Sequence, residues 1–138
     1  MNTNLLSRLL AFLALCVLLV GQAAAVEYTK DGYDTVREKL AQGKAVLIDV
    51  REAGEWKQGH LADATLMPLS DLRKMSKDTE LRDSVLRALP QDKIIYCHCA
   101  SGVRVITATQ ILEKLGYKIR PLEAGYKELL EAGFPRAK

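Results

Sequence analysis

The stretch IIYCHCASGVRVI, residues 94–106, sets two thiols, a small-residue loop and an arginine between an apolar run and a helical pattern. In a strand–loop–helix turn of this kind, loop N–H groups and the unpaired N–H groups of the first helical turn can converge on one point and favour negative charge there. Gly102 supplies backbone freedom, and Ala100 and Ser101 are small enough to leave a concavity open. A sulfur at Cys99 would lie near the positive end of the following helix and near Arg104. Both favour the thiolate, which is the nucleophilic form. A buried cysteine that only packs is the competing reading; the small-residue loop closed by Arg104 favours the reactive one.

Cys97 differs. On a strand, residues 97 and 99 face one side and His98 the other. Those three side chains therefore cannot wrap one tetrahedral metal, and the sequence has only one further histidine, His60. No metal site is expected. A Cys97–Cys99 disulfide would be strained by its single-residue spacing. Cys97 reads as a core or supporting thiol, with a resolving or redox role as the alternative.

Positioning these groups falls to alternating elements. AVLID (45–49) and KIIYC (93–97) are short, apolar, β-branched runs suited to strands buried on both faces. ATLMP (64–68) and YKIRPL (117–122) are weaker strand candidates. Helical patterns occupy DTVREKLAQG, EAGEWKQG, DTELRDSVLRALP, VRVITATQILEKLG and GYKELLEAG, with Gly or Pro as stop signals. The alternation predicts an α/β domain of three layers, a mostly parallel central sheet with helices on both faces. Such sheets carry their sites at the carboxyl ends of the strands. Asp49 and Cys97–Cys99 both fall there. Trp56 reads as core packing.

The chain has 138 residues, 49% hydrophobic and 27% charged, with a formal charge of +3. That charge is too small, and the basic residues too scattered, to select a nucleic acid. Residues 1–25 have one cation, Arg8, an apolar run from Leu9 to Val20, and small residues ending at Ala23–Ala25. This is the pattern of a secretory signal peptide with Cys16 inside it. The run is shorter than the roughly 20 residues that span a bilayer, so no stable membrane insertion is expected after cleavage. A domain over residues 26–138 and a periplasmic or secreted location follow as expectations, with Cys97 and Cys99 entering an oxidising compartment. Oligomeric state is not indicated.

Three segments together resemble the single-domain rhodanese family of sulfurtransferases. LIDVREAGEWKQGHLADATLMPL is similar to its strand ending in Asp-x-Arg, its Glu-containing helix and its Gly-His-hydrophobic step. IIYCHCASGVR is similar to its active-site strand and loop, and LEKLGYKIRPLEAGYKELLEAGFP to its ending. The resemblance implies that Cys99 takes sulfur as a persulfide from a small anionic donor such as thiosulfate and passes it to a thiol or cyanide. It implies binding by the amides of Ala100, Ser101, Gly102, Val103 and Arg104, and supporting places for Asp49, Arg51 and His60. No cofactor is implied. Two positions depart from the usual pattern: Val105 stands where many members have Ser, and Ala124-Gly125 where Gly-Gly is usual.

Cysteine-dependent phosphatases share this fold type and a His-Cys start. Their loop places five residues between Cys and Arg, whereas four separate Cys99 from Arg104 here. The competing functions are a non-catalytic binding or sensing module and a thiol–disulfide redox protein using Cys97 and Cys99.

Overall fold

The computed structural model describes residues 24–138; the leader expected over residues 1–25, Cys16 included, lies outside them but for its last two positions. Its elements are α1 (Tyr33–Ala41), β1 (Ala45–Asp49), α2 (Ala53–Lys57), β2 (Ala64–Leu66), α3 (Leu69–Lys74), α4 (Thr79–Ala88), β3 (Ile94–His98), α5 (Arg104–Glu113), β4 (Lys118–Pro121) and α6 (Tyr126–Glu131). The strands form one parallel sheet in the order β2-β1-β3-β4. Asp49 is in register with Leu66 on one side and His98 on the other.

Side chains alternate across this sheet, so each strand feeds two cores. Ile48, Ile95 and Cys97 face α3, α4 and α5, in a cluster with Leu72, Val85, Val105, Ala108 and Leu112. Leu47 and Tyr96 face α1 and α6, with Val36 and Leu129. Both faces are covered, the three-layer α/β arrangement that the element order predicts.

Helix α3 was not legible. The segment LSDLRKM contributes Leu69, Leu72 and Met75, all buried. So few apolar positions after Pro68 read equally well as a loop, and burial on the sheet is what makes them a helix. The second strand correspondingly stops at Leu66, and Pro68 caps α3.

The site's place follows from the topology. β2 pairs with one edge of β1 and β3 with the other, so a crevice opens at the carboxyl ends of β1 and β3. Ahead of α1, residues 28–31 lie over the same end of the sheet. The Thr29 amide donates to the Pro121 carbonyl at 2.8 Å, and the Tyr28 hydroxyl to the Gly102 carbonyl at 3.2 Å. Asp31 accepts from Tyr96 Oη, Arg120 Nη1 and Lys39 Nζ. These contacts, the Tyr96 hydroxyl foremost, hold its pKa down at about 2.

Candidate active site

β1 and β3 end side by side, and the chain leaves them as Val50–Arg51 and as Cys99. The Val50 amide donates to the His98 carbonyl at 2.9 Å, extending the pairing by one step. Cys99 thus starts its loop from the rigid end of a central strand.

Two close backbone contacts hold that loop. A Cβ on Gly125 would stand 1.9 Å from the Ala100 carbonyl oxygen, and one on Gly102 2.3 Å from the Glu123 carbonyl oxygen. Gly102 also has φ +79°, where a side chain is strained. The Tyr126 amide donates to the Cys99 carbonyl at 2.9 Å. The amides of Ala100, Ser101, Gly102 and Val103 donate to no backbone carbonyl among the described residues, so their hydrogen-bonding capacity is uncommitted. Val103 in the loop is 70% exposed.

Arg104 closes the loop, and its partner is Glu55 of α2. Nη1 and Nη2 each donate to one carboxylate oxygen at 2.7 Å, a bidentate pair. The arginine's hydrogen bonds hold the Glu55 pKa down at about 2. Glu55 in turn raises the pKa of Arg104, and the nearby Cys99 sulfur contributes in the same direction. Glu55 also accepts from the Glu52 amide, and Glu52 from Ser70 Oγ at 2.7 Å, which ties α2 to α3. Glu55 was missed as a site residue. Its only signal was membership of the Glu-containing helix motif.

The surroundings of Cys99 correct the expectation of an open concavity. Its side chain is fully buried, in the core cluster with Val50, Met67 and Val105. Among the described residues no amide donates to its sulfur. The reason is the direction of that side chain: it continues the face of Ile95 and Cys97 into the core beside Val50, Met67 and Val105, while the loop's backbone seats on 123–125. Cys97 is buried one pleat deeper on the same face. Burial raises its pKa well above the ordinary thiol value, with Cys99 and Asp49 adding to the effect. Both cysteines are free thiols.

Asp49 and Arg51 are buried together. Arg51 Nε donates to both carboxylate oxygens of Asp49, and Nη2 to Oδ2 at 2.6 Å and to the Gly59 carbonyl at 2.9 Å. The guanidinium carbon sits 4.1 Å from the centroid of the Tyr126 ring. One buried cation thereby links the end of β1, the turn after α2 and the start of α6. His98 Nε2 is 3.6 Å from Asp49 Oδ2, too long for a hydrogen bond, and has no partner. Burial lowers the His98 pKa, against the opposing pull of Asp49, so the imidazole is neutral at neutral pH. His60 joins neither group: its Nδ1 faces the Trp56 carbonyl and its ring stacks on Trp56 at 3.6 Å. Trp56 is half-buried in that stack rather than packed in the core. No cluster of three or more His, Cys, Asp or Glu side chains able to hold a metal ion occurs among the described residues.

A family model, the Rhodanese-like domain, matches residues 33–132. An uncharacterized protein of Bacillus subtilis, YqhL, is 30% identical over 127 residues, covering 89% of this chain and 93% of its own. The human thiosulfate:glutathione sulfurtransferase is 31% identical over 104 residues, 70% of this chain and 88% of its own. The solved structure of a human single-domain sulfurtransferase superposes with a TM-score of 0.60 at 29% identity, over 79% of this chain and 97% of that one. Other relatives are longer: the chain spans 24% of the tRNA uridine(34) hydroxylase of Chlamydia pneumoniae, at 28% identity over 59% of its own length.

Proposed function

We propose that this chain, which belongs to the rhodanese-like domain family, is a sulfurtransferase that carries sulfane sulfur on Cys99. The observation behind this reading is the loop from Cys99 to Arg104. It has a thiol at the end of a central strand, uncommitted amides at four successive residues, and an arginine held by Glu55.

The Cys99 thiolate attacks the outer sulfur of a donor such as thiosulfate. An S–S bond forms to Cys99 as the donor's own S–S bond breaks and sulfite leaves. The amides of Ala100, Ser101, Gly102, Val103 and Arg104 turn toward the added sulfur, and the Arg104 guanidinium offsets its charge. A thiolate or cyanide then takes the outer sulfur and returns Cys99 as thiolate. Splitting the transfer through a covalent intermediate replaces one difficult step by two easier ones. Because Cys99 is buried, the loop must shift to admit the donor. Asp49 and Arg51 hold the loop's supports in place, and Cys97 stays a packed thiol. We assign the domain to residues 26–138 and, from the leader pattern, to a periplasmic or secreted location.

The burial of Cys99 favours a second reading, a binding module without turnover. Intact mass after incubation with thiosulfate separates the two. A gain of one sulfur atom, abolished in Cys99→Ser and retained in Cys97→Ser, is the expected result. No adduct from any sulfane donor would leave the binding module standing. A protein in which two thiols become alkylatable only after reduction would instead be a redox protein.

A further inference from the structure

Clefts lie on both sides of Ala100, the residue after Cys99, and they differ in charge. One, of about 930 Å³, is lined by Glu123, Glu128 and Glu131 with Lys127. The other, of about 640 Å³, is lined by Arg51, Glu55, Lys127 and Arg136, beside Gly59 and Tyr126. In the second cleft Arg51 is committed to Asp49 and Glu55 to Arg104. That leaves Lys127 and Arg136, which form no ion pair among the described residues.

The floor of this cleft also has donors to spare. Arg136 Nη2 donates to the Gln58 carbonyl at 3.0 Å, which lays the guanidinium over Gly59. A Cβ on Gly59 would meet Arg136 Nη2 at 2.6 Å and Tyr126 Oη at 2.7 Å, so both groups sit against this one glycine. The Tyr126 hydroxyl is buried there without a hydrogen-bond partner. A hydroxyl, a guanidinium and an ammonium around one cleft call for an oxygen anion. The volume is that of an organic molecule rather than of a bare inorganic ion.

We propose that this cleft is the acceptor subsite and that Lys127 and Arg136 select a thiol bearing a carboxylate. The proposal rests on the sulfurtransferase reading. The acceptor thiolate attacks the outer sulfur of the Cys99 persulfide: a new S–S bond forms on the acceptor, the Cys99 S–S bond breaks, and Cys99 leaves as thiolate. The outer sulfur keeps its charge, or a proton it has taken from solvent, as it moves to the product, and there is no net oxidation.

The test uses three small thiols of differing charge, 3-mercaptopropionate, 2-mercaptoethanol and cysteamine, to discharge protein already charged with sulfur. In the double variant Lys127→Gln/Arg136→Gln, the discharge rate with 3-mercaptopropionate relative to 2-mercaptoethanol is expected to fall by about tenfold, the scale of two solvent-screened charge contacts. The absolute rate with 2-mercaptoethanol should hold. In the unaltered protein the preference should fade at about 1 M salt, where screening reaches about 3 Å. An unchanged ratio, an equal loss with all three thiols, or a preference for cysteamine in the unaltered protein would overturn the subsite. Charging by thiosulfate is recorded first, so its failure is seen separately. In that event, binding of the unreactive 3-(methylthio)propionate, followed by NMR shifts of Gly59 and Tyr126, decides the subsite: shifts lost in the double variant support it, and none in the unaltered protein refutes it.

Discussion

At the residue scale the pairing of Arg104 with Glu55 governs how the loop presents its charge. A guanidinium held at both nitrogens by one carboxylate has a fixed place, and the added sulfur would find positive charge already oriented. The pair is partly exposed, with side-chain exposures of 29% and 36%, so its contribution to stability is small, below about 1 kcal/mol. Glu55→Gln should therefore leave the urea midpoint nearly unchanged. It should slow persulfide formation on the order of tenfold or more, because Arg104 loses its anchor. Rapid-mix mass spectrometry of Cys99 charging is the measurement. Unaltered charging would reduce Glu55 to a surface contact.

At the element scale the decisive contact lies between the loop and the start of α6. Gly125 has ordinary backbone angles, φ −81°, so no strain is relieved by its lacking a side chain. What it provides is space, since the Ala100 carbonyl occupies the volume a methyl group would need. Gly125→Ala must push the loop away from 123–125. A cost of about 1–3 kcal/mol is expected, as for other overpacked positions. The displaced loop starts at Cys99, so Cys99 should alkylate faster with iodoacetamide while Cys97, within β3, stays protected. A variant of normal stability and unchanged alkylation would show that the loop is not held by this contact. Of the two departures from the usual family pattern, Ala124 is tolerated because the close approach falls on Gly125. Val105 is fully buried in the core of α5, where a hydroxyl would need a partner.

At the scale of the whole molecule, the buried imidazole of His98 makes stability depend on pH. Its ordinary pKa is 6.5 and burial lowers it in the fold. The unfolded chain therefore binds the proton that the folded chain resists, and stability falls as pH drops below about 6.5. The slope should approach about 1.4 kcal/mol per pH unit until the folded-state pKa is passed. The carboxylates held at about 2, Asp31 and Glu55, lose their contribution only in a lower window, as pH falls from above 4 toward 2. Urea melts between pH 7.5 and 5 will register the first window alone. A flat profile across it would mean that His98 takes up its proton within the fold.

The sequence alone determined the α/β alternation, the strand that leads into Cys99 and the arginine that ends its loop. These are local matters of period, stop signals and spacing, and each is contained in a dozen residues or fewer. It also separated Cys97 and Cys99 from His98, because pleat alternation is a property of any strand. The tertiary structure decided what meets across the sheet's end. Glu55 lies 49 positions from Arg104, and Gly125 meets Ala100 only because β3 and β4 are neighbours. It decided, too, that Cys99 is covered at rest. Whether a side chain is open or walled in depends on segments distant in the chain, and no local pattern encodes the close packing that brings them together.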